Sequence, residues 1–151
     1  MLRDGDVLRF TRVPEPVPAG FARTWVESYE EGRREGTRDA FAVVEGDADF
    51  VGLALAPQIS REDRTVELGY VVDPSARGRG VATEALRLLT DWAFTDLEAM
   101  RVELWIDVVN AASKRVAERC GYVREGVLRS IHFKHGRRSN FEIWSRLPTD
   151  P

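Results

Sequence analysis

Residues 64–93 read RTVELGYVVDPSARGRGVATEALRLLTDWA, and three kinds of local structure follow one another within them. Arg64 to Val72 is rich in β-branched and apolar residues and predicts a strand. By its period of two, Glu67 shares a face with Gly69 and Val71 and opposes Val66, Leu68 and Tyr70. Asp73-Pro74 predicts a turn. From Val81 onward Ala85, Leu88, Leu89, Trp92 and Ala93 form the apolar stripe of an amphipathic helix, with Arg87, Thr90 and Asp91 off it. Between turn and helix lies Arg77-Gly78-Arg79-Gly80. Glycine lets the backbone turn sharply and approach a ligand with no Cβ in the way. The first N–H groups of the helix have no intrahelical acceptor and carry the positive end of its dipole. Strand, glycine-rich basic turn and helix therefore predict a phosphate or diphosphate hole, to which Arg77 and Arg79 add charge. The same residues also suit a plain strand-to-helix turn with solvated arginines.

Working outward, residues 1–20 predict a short helix or coil and then a proline-rich loop. Phe21, Trp25, Val26 and Tyr29 mark one face of a helix over 21–35. Asp39–Glu45 and Phe50–Ala56 predict strands joined at Gly46-Asp47, so the middle of the chain reads as an antiparallel meander. Downstream, Val102, Leu104, Ile106 and Val108 alternate with polar residues, as in a strand. Asn110 caps a short helix from Ala111 to about Cys120, which Gly121 stops. Tyr122–Phe133 and Ser139–Leu147 predict two strands that turn around His135-Gly136. No repeat or linker interrupts the chain, and one α+β domain over residues 1–151 is expected.

Composition narrows the function. The 151 residues are 43% hydrophobic and carry 22 basic against 25 acidic side chains, a net charge of −3. A nucleic-acid-binding domain usually shows a basic surplus, so direct nucleic-acid binding is not expected. There is no apolar run of about 18 residues, and no membrane span is expected. The lone Cys120 cannot form an internal disulfide, which favours a cytoplasmic protein. His132 and His135 lack metal-ligand spacing, and no metal is expected.

The phosphate motif has three readings. A P-loop needs Gly-Lys, which is absent, and a dinucleotide fingerprint needs a first βαβ unit where this chain has a meander. The third is Arg77-x-x-Gly80-x-Ala82, which resembles the acyl-coenzyme A loop of the GNAT N-acetyltransferases. Leu68-Gly69-Tyr70-Val71-Val72-Asp73-Pro74 extends the match to that family's RimJ/RimL-like branch. So do residues 77–86, the run Asn110-Ala111-Ala112-Ser113 through Cys120-Gly121-Tyr122, and Arg124-Glu125-Gly126. Together these segments spread the resemblance over roughly residues 40–147.

The resemblance implies a mixed, mostly antiparallel central sheet, flanked by helices, in which one strand splays from its neighbour in a V. Acetyl-CoA would be the co-substrate, its arm lying along Tyr70, Val71 and Val72. Its diphosphate would sit on the backbone of Arg77, Gly78, Arg79, Gly80, Val81 and Ala82, with Asn110 contacting the arm or nearby backbone. Many relatives place an acidic tyrosine where this chain has Ala117; in this branch the serine three after the asparagine is the substitute, so Ser113 is the expected acid. Glu67 is the expected base, with Glu103 and Asp107 as rivals. Asn110 and Ser113 also suit simple helix capping, and Glu67 an exposed strand carboxylate.

The implied reaction is attack of a neutral amine on a thioester. An α-amine, with pKa about 7.7–8.0, needs little help, whereas lysine at about 10.4 needs much more. A strand N–H near Val71 or Val72 is the expected oxyanion donor. The acceptor is a protein N-terminal amine or a small-molecule amine. Its candidate walls are Trp25, Tyr29, residues 58–63, Trp105, residues 131–133, Phe141 and Trp144, although each aromatic suits the core better than a pocket. Glu62, Asp63, Glu67 and Asp107 would make a pocket suited to a polyamine or aminoglycoside, so an antibiotic acetyltransferase is one alternative. A non-catalytic acyl-CoA sensor is another. Relatives carry a further strand before the stretch matching Val7-Leu8-Arg9-Phe10. The expected sheet lacks this first edge strand, which favours a homodimer.

Overall fold

The computed structural model describes residues 1–151, and its elements follow the periodicities of the sequence. Helix α1 (Gly5–Phe10) is capped by Asp4, whose carboxylate accepts from Val7 N–H. Helix α2 spans Phe21–Glu35, and strands β1 (Asp39–Glu45), β2 (Asp49–Ser60) and β3 (Thr65–Val72) follow. A 3₁₀ turn at Pro74–Ala76 leads into α3 (Val81–Thr95), then β4 (Arg101–Asp107), α4 (Ala111–Arg119), β5 (Val123–Lys134) and β6 (Arg137–Arg146). The six strands form one sheet in the order β1-β2-β3-β4-β6-β5. Every pairing is antiparallel except β3 with β4. The helix α3 that connects those two strands is what allows them to run the same way. The expected mixed, mostly antiparallel α+β sheet is present, with β1 at one open edge.

The core lies on one face of the sheet. Val66 and Leu68 of β3 and Val102, Leu104 and Ile106 of β4 are all buried there, packed with Leu86, Leu89 and Ala93 of α3 and with Ala117 of α4. Thr90, fully buried off the apolar stripe, holds this layer together: its hydroxyl lies 2.7 Å from both the Leu86 carbonyl and the Tyr122 hydroxyl. Glu142 is the one buried acid. It accepts from Trp144 Nε1 at 3.0 Å and pairs with Lys114 and Arg124 at 3.3 Å. Trp144, a candidate pocket wall better suited to the core, does belong to the core: its even position on β6 turns it to the same side as Glu142 and Leu104.

Two irregularities shape the middle of the sheet. Leu55 pairs with Gly69 and Gln58 with Glu67, so Ala56 and Pro57 of β2 stand against the single residue Leu68. This is a β-bulge, and Pro57, which has no N–H to give the ladder, fits it. Four residues earlier, Gly52 lies so close to β3 that a Cβ there would sit 2.4 Å from the Val71 carbonyl oxygen. Its lack of a side chain is what lets β2 and β3 meet at that point.

Gly52→Ala should therefore push β2 from β3 and cost about 1–3 kcal/mol in urea unfolding, the usual range for overpacking. Thr90→Val should cost about 1–3 kcal/mol by leaving the Tyr122 hydroxyl buried and unpaired. Adding Tyr122→Phe should recover much of that loss, and a double-mutant cycle in urea measures it.

Candidate functional site

The site begins where β3 and β4 part. They pair only at Thr65–Arg101, Val66–Val102 and Glu67–Glu103, although both strands continue for several residues. Beyond Glu67 the sheet opens into a V between adjacent strands, as the resemblance implied. Asp73 N–H donates to the Val51 carbonyl at 2.8 Å, which fixes the phase of the antiparallel β2–β3 ladder. By its alternation Gly69 and Val71 bond to β2, while Tyr70 and Val72 turn their backbone groups into the gap. Of the two amides expected near an oxyanion, it is that of Val72 that faces the opening.

The loop after β3 supplies a second set of donors. Gly78 and Gly80 have φ of +76° and +84°, left-handed values that glycine takes without steric cost. Gly80 is the N-cap of α3 and places no side chain on its amides. The N–H groups of Gly78, Arg79, Gly80, Val81, Ala82 and Thr83 have no acceptor in the protein. Six donors therefore converge on solvent at the positive end of a 15-residue helix.

Arg77 differs from its expected place. Its N–H already donates to the Pro74 carbonyl, and its guanidinium grips Asp4 at 2.6 Å and Asp6 at 3.3 Å on α1. The free amides thus start at Gly78, and Arg77 ties α1 to the loop. Arg79 pairs with Glu45 at 2.9 Å from the far side of β1.

Asn110 caps α4 by accepting from Ser113 N–H at 3.1 Å. Ser113 lies close to the Tyr70 hydroxyl, which is buried with no formed hydrogen bond. Burial pushes the Tyr70 phenol up to about 12, so it stays protonated at neutral pH. Sequence reasoning placed Tyr70 in the site by its backbone alone. The period of β3 already carried the signal for its side chain, since Tyr70 lies on the Leu68 face, which α3 and α4 cover. Ala117 is fully buried in the core, so α4 offers Ser113 and not residue 117 to this region.

Glu67 looks to the opposite face. It is half-buried and accepts no hydrogen bond from the protein. Burial and the neighbouring Glu103 raise its pKa above the ordinary carboxylate value, while Arg12 opposes the shift. Glu103 differs: one of its oxygens accepts from Arg101 Nε at 2.9 Å and the other from Trp105 Nε1 at 3.0 Å. Asp107 accepts from Val109 N–H in the turn after β4. All three carboxylates are half-buried, and Glu67 alone accepts no hydrogen bond.

Glu67 floors a cavity of about 370 Å³ that is also lined by Arg12, Thr37, Arg38, Pro57, Gln58 and Ile59. The acid-rich pocket expected from Glu62 and Asp63 is not formed. Both residues are exposed in the β2–β3 turn, where Asp63 bonds to Ser60. Arg12 and Arg38 were not anticipated, and neither sits in a motif that sequence alone could have flagged. No cluster of His, Cys, Asp and Glu has the arrangement to hold a metal, and no helix is long and apolar enough to cross a membrane.

Comparison with known proteins adds independent evidence. The acetyltransferase (GNAT) domain model matches residues 1–123. The chain is 25% identical to the uncharacterized N-acetyltransferase p20 of Bacillus licheniformis, over 95% of this chain and 82% of that protein. It is 32% identical to the probable N-acetyltransferase YjcK of Bacillus subtilis (strain 168), over 71% of this chain but 60% of that longer protein. A crystal structure of a probable acetyltransferase superposes with a TM-score of 0.79 at 25% identity, covering 86% of this chain and 73% of the other. Spermidine N-acetyltransferase from Vibrio cholerae, solved with CoA and spermine, shares the fold with a TM-score of 0.77 at 24% identity, over 85% and 76% of the two chains. The parted strands, the open amides before α3 and a family match over most of the sequence agree: the chain belongs to the GNAT acetyltransferases.

Proposed function

We propose that this chain is an acetyl-CoA-dependent N-acetyltransferase, acting as one domain over residues 1–151, that moves an acetyl group to a primary amine by direct attack. The observation that carries this reading is the run of six unpaired amides from Gly78 to Thr83 beside the parted strands. An anion of the charge and size of a diphosphate suits those amides. An extended amide-bearing arm suits the gap, where Tyr70 and Val72 offer backbone groups in the way a missing strand would use them.

In this reading the gap joins two faces with different tasks. On the Glu67 face the acceptor amine loses a proton to Glu67, directly or through a water. The raised pKa of Glu67 makes it a better base than an exposed carboxylate. The Val72 N–H is placed for the oxygen of the attacked carbonyl. On the opposite face Ser113, with the protonated Tyr70 hydroxyl beside it, returns a proton to the departing sulfur. A thiol has pKa about 8.5, so this last step asks little of a hydroxyl. Holding both substrates across one opening supplies much of the rate.

The acceptor in this reading is a protein N-terminal amine or a small-molecule amine, as for the RimJ/RimL-like branch. Two relatives, at the same 27% identity, support the breadth of that range: the ribosomal-protein-serine acetyltransferase of Escherichia coli (strain K12) and the spermidine N(1)-acetyltransferase of Vibrio cholerae. A cytoplasmic location is supported by the single, buried, free Cys120. Homodimer formation is supported by the open outer edge of β1.

Two measurements test the proposal. Calorimetry should show acetyl-CoA binding that weakens about tenfold in Gly80→Val, because a β-branched residue resists the left-handed backbone by about 1–2 kcal/mol. Absence of binding by the unaltered chain would reject the reading. Glu67→Gln should keep acetyl-CoA affinity but lose turnover by about 10²-fold or more. It should also abolish an acid limb in kcat/KM that lies above the ordinary carboxylate pKa. The sign of its effect on stability is opposite. A carboxyl whose folded pKa is raised favours folding below its unfolded pKa and loses that contribution as pH rises through the folded value. Glu67→Gln should therefore be more resistant to urea than the parent at pH 7, with the advantage fading toward pH 4.

A further inference from the structure

The cavity above Glu67 has an unexpected charge. It is lined by two arginines, Arg12 and Arg38, with Gln58 and Thr37, against the single acidic residue Glu67. Arg12 and Arg38 form no ion pair with any carboxylate of the chain, in common with most of its arginines; what sets these two apart is that both line the cavity beside Glu67.

Arg38 is held in place, whereas Arg12 is exposed and positioned by its backbone. The stem of Arg38 lies across Gly32 of α2, so tightly that a Cβ at Gly32 would overlap its Cγ, and its guanidinium stands 5.3 Å from the centre of the Tyr29 ring. Arg12 follows α1, and α1 is fixed at both ends. Arg77 grips Asp4 and Asp6 at its start, and Lys134 of β5 donates to the Leu8 and Thr11 carbonyls at its finish. Arg12 is also near enough to Glu67 to counter its raised pKa.

Resting on the acetyltransferase reading, we propose that Arg12 and Arg38 select an acceptor that carries its own oxyanion, a carboxylate or a phosphate, close to the amine to be acetylated. The amine would approach Glu67 while the oxyanion lies between the planar guanidinium groups, which bind carboxylate and phosphate oxygens through paired N–H donors. A polyamine would bring a second ammonium to the same place and meet repulsion. The cavity, about 370 Å³, is at the small end of ligand pockets and suits an acceptor of amino-acid size, or the first residues of a peptide.

The test uses acceptors matched in size. Thiol release from acetyl-CoA is measured with propylamine, β-alanine, ethanolamine, phosphoethanolamine and spermidine, and binding of the same compounds to the chain without acetyl-CoA is measured by calorimetry. The anionic member of each pair should be preferred by at least about tenfold, and the pair with the larger ratio tells carboxylate from phosphate. In Arg12→Gln and in Arg12→Gln/Arg38→Gln the preference should shrink toward unity, while acetyl-CoA affinity stays that of the parent. The ratio within a pair is the readout because removing Arg12 also alters Glu67, which affects both members alike. A preference for spermidine, or ratios unmoved by the substitutions, would overturn the proposal. Failure of the chain to bind acetyl-CoA would instead strike the acetyltransferase reading; the calorimetric preference, read without acetyl-CoA, still decides the anion site.

Discussion

The molecule is organised around an interruption: two parallel strands that stop pairing after Glu67 and Glu103 while both continue. Inside a sheet an unpaired backbone group is costly unless something else satisfies it. The fold tolerates the gap because it opens on solvent and because each strand is fully committed on its other side, β3 to β2 and β4 to β6. What would be a defect elsewhere becomes a row of donors and acceptors at fixed spacing. The bulge at Ala56 and Pro57 lies opposite Leu68, beside the point where the strands part, and bends β2 there.

The gap also divides labour by the simple alternation of a strand. Leu68 and Tyr70 turn to the helices and Glu67 to the cavity on the other face, so successive residues of one strand line two sides of the gap, which the proposed reaction would use separately. Both ionisable groups are shifted by the same cause. Burial raises the pKa of the Glu67 carboxyl and keeps the Tyr70 phenol protonated, as the proposed base and proton donor require. Glu103, tied by Arg101 and Trp105, acts as a fixed negative charge that adds to the first of these shifts.

Much of this was legible in the sequence. The alternation in residues 101–108, the stripe from Val81 to Ala93 and the Asn110 cap encode their elements locally, within one or two turns of chain. The glycines at 78 and 80 encode the amide loop for the same reason. Less legible was anything that depends on distant partners. Nothing near Arg77 says that its guanidinium is engaged by Asp4 and Asp6 some seventy positions away. Nothing near Trp144 says that it buries beside a carboxylate held by Lys114. The lining of the cavity beside Glu67 was not legible because Glu62 and Asp63, close to Glu67 in sequence, sit in an exposed turn, while Arg12 and Arg38 reach it from other elements.

The most direct test of the central claim is amide hydrogen exchange with and without acetyl-CoA. The amides of Gly78–Thr83, and those of Tyr70 and Val72, have no protein acceptor and should exchange fast in the free chain, then become strongly protected when acetyl-CoA is bound. Tight binding that leaves these eight amides as exposed as before would contradict the claim, since it would place the cofactor somewhere other than the parted strands and the mouth of α3.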